Sequence, residues 1–108
     1  MGLTKTEIFT EQENRVAELA KAFAHPARIA ILQLLIDRNT CVCGDLVDEL
    51  PLAQATVSQH VKELKRIGII KGDVDPPRVC YCINETVWAE AKQLFSGFMS
   101  QEIKRCCC

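Results

Sequence analysis

The stretch Gln54-Ala55-Thr56-Val57-Ser58-Gln59-His60-Val61-Lys62-Glu63-Leu64-Lys65-Arg66-Ile67-Gly68 decides how the chain is read. Its apolar residues Val57, Val61 and Leu64 recur at the spacing of one helix face. Gly68 ends the period as a left-handed cap, so a helix is expected over residues 54–67. Thr56, Ser58, Gln59, His60 and Lys62 are left to face outward or flank. A helix that opens with such small polar side chains is thin enough to enter a DNA major groove. Gln and Ser or Thr can bond base edges, while Lys62, Lys65 and Arg66 can neutralise phosphates. Just upstream, residues 44–50 read as a short helix with Leu46, Val47 and Leu50 inward, and Pro51-Leu52-Ala53 as a turn. A short helix, a tight turn and a second helix form the helix-turn-helix plan.

The flanks extend this reading. Val16, Leu19, Ala20 and Phe23 place a helix over residues 13–24, after a loose polar arm at residues 1–12. His25-Pro26 breaks it, and Pro26 suits the first turn of a second helix over residues 26–37. That helix is apolar nearly all round and is expected to be central and buried. Residues 39–43 are a connection. After Gly68 the period shortens. Residues 69–72 and 78–83 read as two strands joined at Asp75-Pro76-Pro77. Lys71 and Arg78 then lie on a hairpin placed to flank a duplex. Asn84 caps a last helix over residues 85–104. The expected fold is mainly α with a small β-hairpin wing, in the order α-α-α-α-β-β-α. The candidate DNA contacts are Gln54, Thr56, Ser58, Gln59, His60, Lys62, Lys65, Arg66, Lys71 and Arg78.

The bulk numbers fit one small folded domain. The chain has 108 residues, 48% hydrophobic and 25% charged, with a formal net charge of -1. A DNA binder with this balance must gather its cations on one face. No apolar run is long enough to span a bilayer, and a cytoplasmic location is expected. The start Met1-Gly2-Leu3-Thr4-Lys5-Thr6 fits a loose myristoylation pattern, but the prenylation pattern would need a cysteine where Arg105 stands. Membrane anchoring is therefore not expected.

Seven cysteines are many for this length: Cys41, Cys43, Cys80, Cys82, Cys106, Cys107 and Cys108. In a reducing compartment such clusters bind metal or sense redox state more often than they form structural bridges. Cys80 and Cys82, two apart on a strand, share one face; they are either ligands or small wing hydrophobes. The last three form a Cys-rich tail at residues 105–108. A thiol enzyme would need a nucleophile beside a base, or a Cys-x-x-Cys pair, and neither is present. No catalytic function is expected.

The run Ala24-His25-Pro26-Ala27-Arg28-Ile29-Ala30-Ile31-Leu32 resembles the opening of ArsR/SmtB (arsenic-repressor) regulators. Residues 41–50 resemble their third helix, residues 55–64 their recognition helix, and Gly68-Ile69-Ile70 with residues 78–83 their wing. The likeness covers residues 13–100 in the right order. It implies a homodimeric repressor of double-stranded operator DNA, paired through its first and last helices. The sequence agrees, because the last helix carries a wider apolar stripe than a small domain needs. The candidate interface is Val16, Leu19, Phe23, Trp88, Leu94, Phe95, Phe98 and Met99.

The resemblance also implies release by an inducer. The family's full arsenite motif, Cys-Val-Cys-Asp-Leu-Cys, is only half present: Gly44 intervenes after Cys41-Val42-Cys43, and Val47 stands where a third cysteine would be. Trivalent arsenic would take Cys41, Cys43 and a third thiolate from Cys80, Cys82, Cys106, Cys107 or Cys108. Soft thiolates select arsenite, antimonite, Cd, Pb or Cu(I), and DNA binding itself needs no cofactor. A Cd or Pb sensor, or a thiol-redox or persulfide-sensing repressor of the same fold, is the alternative. The family's zinc site on the last helix needs His ligands there, and His25 and His60 lie elsewhere.

Overall fold

The computed structural model describes residues 8–39, 41–44 and 50–105. Thr10 opens the first helix, α1 (Glu11–Lys21), with a capping box. Its hydroxyl accepts from the Glu13 amide at 3.0 Å, and its own amide donates to the Glu13 carboxylate at 2.8 Å. The helix thus starts two residues earlier than the apolar period suggests, inside the expected loose arm, and it ends at Lys21 rather than Ala24.

The chain then bends by 85° into α2 (Pro26–Arg38). His25 caps it by accepting from the Ala27 amide at 3.0 Å, and Pro26 fills the first turn, where no amide is needed. Asn39 ends α2 with φ 51°, a left-handed conformation that Asn tolerates. Ile31, Leu32 and Leu35 of α2 are buried, as is Leu19 of α1.

Residues 39–43 are not merely a connection. Val42–Cys43 form a short strand, β1, antiparallel to β3. Gly44 continues the ladder by donating to the Val79 carbonyl at 2.9 Å, with φ 96°. The expected short helix over residues 44–50 therefore does not begin at Gly44 and does not reach Leu50, which lies in a bend; residues 45–49 lie outside the described residues.

The next helix, α3 (Gln54–Ile67), has the expected bounds and closes on Gly68 at φ 100°. Val57, Val61, Leu64 and Ile67 are buried. β2 (Ile70–Asp73) and β3 (Cys80–Ile83) form the hairpin, and the described sheet has the order β1-β3-β2. Asn84 caps α4 (Glu85–Met99) by accepting from the Val87 amide at 3.3 Å. α4 stops at Met99 rather than Lys104. Beyond Ala91 and Phe95 its apolar side chains lose the core, with Phe98, Met99 and Ile103 60%, 77% and 90% exposed, so nothing packs against a further turn. Among the described residues the elements run α-α-β-α-β-β-α, and no single helix is long and apolar enough to cross a membrane.

One core joins these elements: Leu19, Ile31, Leu35, Leu64, Ile69, Ile70 and Tyr81 are all at most 2% exposed. Arg15 of α1 grips Glu90 of α4 with two guanidinium–carboxylate hydrogen bonds of 2.7 and 3.1 Å, and Phe23 packs edge-on against Trp88 and Phe95. The first and last helices are thus fastened to each other within the chain. The expected interface residue Leu19 lies in the chain's own core, fully buried, and is not available to a partner; Phe98 and Met99 stay outside.

Candidate nucleic-acid interface and thiol face

α3 rests its buried face on α2 and turns Gln54, Gln59, Lys62, Lys65 and Arg66 outward, with Thr56, Ser58 and His60 half-buried on its flanks. Lys71 and Arg78 are exposed on the hairpin. A groove of about 850 Å³ separates the helix from the hairpin, with Gln54 and Ser58 on one wall and Arg78 and Asp73 on the other.

Three of the candidate phosphate contacts already hold protein partners. Lys62 pairs with Asp75 at the hairpin tip (3.6 Å), and Lys65 donates to the carbonyl of Gly72 in β2. These two bonds fasten the wing to α3. Arg66 reaches Glu18 of α1 (2.8 Å) and Glu63 (2.5 Å), which raises its own pKa. Hydrogen bonds from Arg66 and Lys21 outweigh desolvation and hold the Glu18 carboxyl below its usual value. The cations are exposed and Glu18 and Glu63 are half-buried at the surface, so the pairs orient the helix more than they stabilise it.

His60 turns toward the protein. Its Nδ1 accepts from Arg28 Nε at 3.1 Å, and its ring lies 4.5 Å from that of His25. Burial first, then the charges of His25 and Arg28, lower its pKa. A neutral His60 with a free Nδ1 lone pair is what this bond requires. The ring that caps α2 and the ring on α3 are thus in tilted contact, a link that the spacing of 35 residues hid from the sequence.

The strand β1 changes how the cysteines are grouped. Val42 stands opposite Tyr81 and Cys43 opposite Cys80. Val42 and Tyr81 are buried beneath the sheet, so Cys41, Cys43, Cys80 and Cys82 share the other face. Cys43 and Cys80 are joined as a disulfide. Cys41 and Cys82 are free thiols sharing a hydrogen bond, which together with desolvation and the Cys41 charge pushes the Cys82 thiol up; Lys71 opposes this. Lys71 stands opposite Cys82 in the neighbouring strand. The structure thus brings Cys41 and Cys43 to Cys80 and Cys82, while Cys106, Cys107 and Cys108 lie outside the described residues. Among the described residues, no group of three or more His, Cys, Asp or Glu stands ready to hold a metal ion.

A helix that packs on α2, presents polar side chains and is flanked by a β-hairpin has the architecture of a winged helix-turn-helix regulator. Residues 23–73 match the family described as Helix-turn-helix domain. Together with the relatives below, this shows that the chain belongs to the ArsR/SmtB family of winged helix-turn-helix transcription regulators, which implies DNA binding. It is 44% identical over 62 residues to an uncharacterised helix-turn-helix transcriptional regulator of Methanocaldococcus jannaschii, covering 56% of this chain and 68% of that protein. It is 44% identical over 64 residues to the transcriptional repressor SmtB of Mycobacterium tuberculosis, covering 59% of this chain but only 47% of that repressor. The solved structure of HlyU from Vibrio cholerae superposes with a TM-score of 0.63 at 26% identity, covering 86% of this chain and all of HlyU.

Proposed function

We propose that the chain is a homodimeric transcriptional repressor that leaves its operator when a thiophilic inducer of the arsenite or antimonite class binds its thiolates. The observation that carries this reading is the β1–β3 register, which gathers Cys41, Cys43, Cys80 and Cys82 on one exposed face. Cys41 and Cys43 alone offer two sulfurs. The wing strand supplies the third ligand that the shortened motif lacks, from Cys80 or Cys82, in the reduced protein. Repression rather than activation is favoured by the repressor names among the relatives, although one relative, HlyU, is called an activator.

The mechanism follows from where β1 and β3 lead. β1 feeds the segment before α3, and β3 is half of the wing. An ion tying the two strands together fixes the wing relative to the recognition helix. Release then requires tighter inducer binding in the DNA-free geometry than in the DNA-bound one, and a coupling of about 1–3 kcal/mol suffices. The homodimer is supported by the exposed Phe98 and Met99 at the end of α4 and by the elongated protomer. Its radius of gyration is 16.6 Å, against about 13 Å for a compact domain of this length.

The test is the double variant C41S/C43S. It is expected to bind operator DNA as the parent does and to ignore arsenite. A double variant that still lets go of DNA with arsenite would show the assignment to be wrong. A second reading is favoured by the Cys43–Cys80 disulfide itself: a thiol-redox repressor, which would respond to peroxide in metal-free buffer and lose that response in C43S or C80S.

A further inference from the structure

His25 and His60 meet where the start of α2 lies against α3, with ring centroids 4.5 Å apart. Each ring has its Nδ1 occupied as an acceptor, by the Ala27 amide for His25 and by Arg28 Nε for His60. A neutral imidazole that accepts at Nδ1 carries its proton on Nε2. Both Nε2–H groups are therefore donors, and neither has an acceptor among the described residues. Among those residues no buried side-chain nitrogen or oxygen lacks a partner, so both donors reach the surface. The first amides of α2 are already taken by the His25 ring and the His25 carbonyl, which leaves the two rings as the open donors at this seam.

Their place beside α3 decides what they can meet. Ala55, Gln59, Lys62 and Arg66 form the exposed outer stripe of that helix. Ser58 and Lys65 lie on the flank toward the hairpin, in the groove and at the Gly72 carbonyl. His60 and Glu63 lie on the other flank, toward α1 and α2. A recognition helix seated in a major groove has a phosphate backbone along each flank. The wing, with Lys71 and Arg78, lies beside one of them. Around the rings, Lys21 of α1, Arg28 of α2 and Arg66 of α3 outnumber the carboxylates Glu18 and Glu63, which favours an anion there.

We propose that the Nε2–H groups of His25 and His60 together hold one phosphate of the operator backbone, as neutral donors, on the flank of α3 that faces away from the wing. A phosphate has two free oxygens, and rings this close can each supply a hydrogen to one of them. This rests on the reading of the chain as an operator-binding repressor, and it adds to that reading a contact supplied by α2. The rings stay neutral because a proton on either Nδ1 would break the α2 cap or the bond from Arg28. A neutral donor displaces no counterion, whereas Lys and Arg contacts do. The His25–His60 contact therefore contributes affinity without contributing to the salt dependence of binding.

The experiment measures binding of the full reduced chain to a fluorescein-labelled duplex of its own promoter, by anisotropy at several salt concentrations and neutral pH. The variants are H25N and H60N. Asparagine keeps an oxygen near the place of Nδ1, so it can still cap α2 or accept from Arg28, but it has no group at the place of Nε2. Each variant is expected to keep the parent's urea midpoint and to bind the duplex about two- to tenfold more weakly, the share of one neutral hydrogen bond. The slope of log affinity against log salt is expected to stay that of the parent. H60Q, whose amide N–H reaches the ε position, is expected to bind better than H60N. Parent-like affinity in both asparagine variants would overturn the proposal. So would a salt slope lowered by about 1 in either variant, since that is the mark of a charged contact, or a loss of affinity that only follows a lowered urea midpoint. The parent's own binding tests the repressor reading, and the ratio of variant to parent tests this one; a parent that does not bind overturns both.

Discussion

Replacing Gly72 with alanine should separate the wing from the rest of the fold. Gly72 lies in β2 opposite Tyr81, with φ 115°. An added Cβ would stand 2.3 Å from the Cys80 carbonyl oxygen and 2.9 Å from the Tyr81 Cα. Both are backbone atoms, so no side-chain rotation relieves the contact. A non-glycine residue in such a conformation costs about 1–3 kcal/mol, and forced overpacking adds about 1–3 kcal/mol. Together that is a large share of the roughly 5–15 kcal/mol that holds a small domain folded. G72A is therefore expected either to unfold at much lower urea or to part β2 from β3, with loss of operator affinity. Urea titration followed by Trp88 emission, with anisotropy binding alongside, distinguishes these two results. Gly97 is the control. A Cβ there meets no heavy atom within 4 Å, and G97A in α4 should be neutral or stabilising by up to about 1 kcal/mol. A G72A protein within about 0.5 kcal/mol of the parent and with unchanged operator affinity would refute the account of the β2–β3 approach.

Two other outcomes follow. His60 has a lowered pKa in the folded chain, so the unfolded chain binds the extra proton first; stability is full above the ordinary value of 6.5 and falls as pH drops through the window below it. Urea midpoints between pH 7.5 and 5.5 should show this slope, and H60Q should flatten it, whereas the loss from Glu18, Glu63 and Glu90 belongs below 4.5. Removing the exposed wing cation in R78A should weaken binding similarly on all sequences and lower the salt slope by about 1, read from affinities at several salt concentrations.

Much of the fold was legible because local chemistry agreed with the tertiary result. α3 carries its apolar face, its polar face and its Gly68 cap within 15 residues, and its bounds were found as they stand. Pro26 and Asn84 marked helix starts for the same reason. The start of α1 was readable too, since Thr10 and Glu13 have capping-box spacing, but the apolar period drew the boundary to Glu13 instead. β1 was not readable. A two-residue strand has no period, and only its pairing with Tyr81 and Cys80, some 40 residues away, defines it. The grouping of the cysteines depended on that pairing. Cys41, Cys43, Cys80 and Cys82 stand out in the sequence, but the partners Cys41 with Cys82 and Cys43 with Cys80 come from register alone. Likewise the α3 lysines read as phosphate contacts, yet Lys62 and Lys65 also tether the hairpin to α3.

The most direct test of the central claim is fluorescence-anisotropy binding of the reduced protein to its own promoter DNA at stated salt, with arsenite then added. The account predicts tight, salt-dependent binding that is lost at stoichiometric arsenite. Binding that arsenite leaves unmoved would contradict the inducer assignment, and no binding under any condition would contradict the repressor itself.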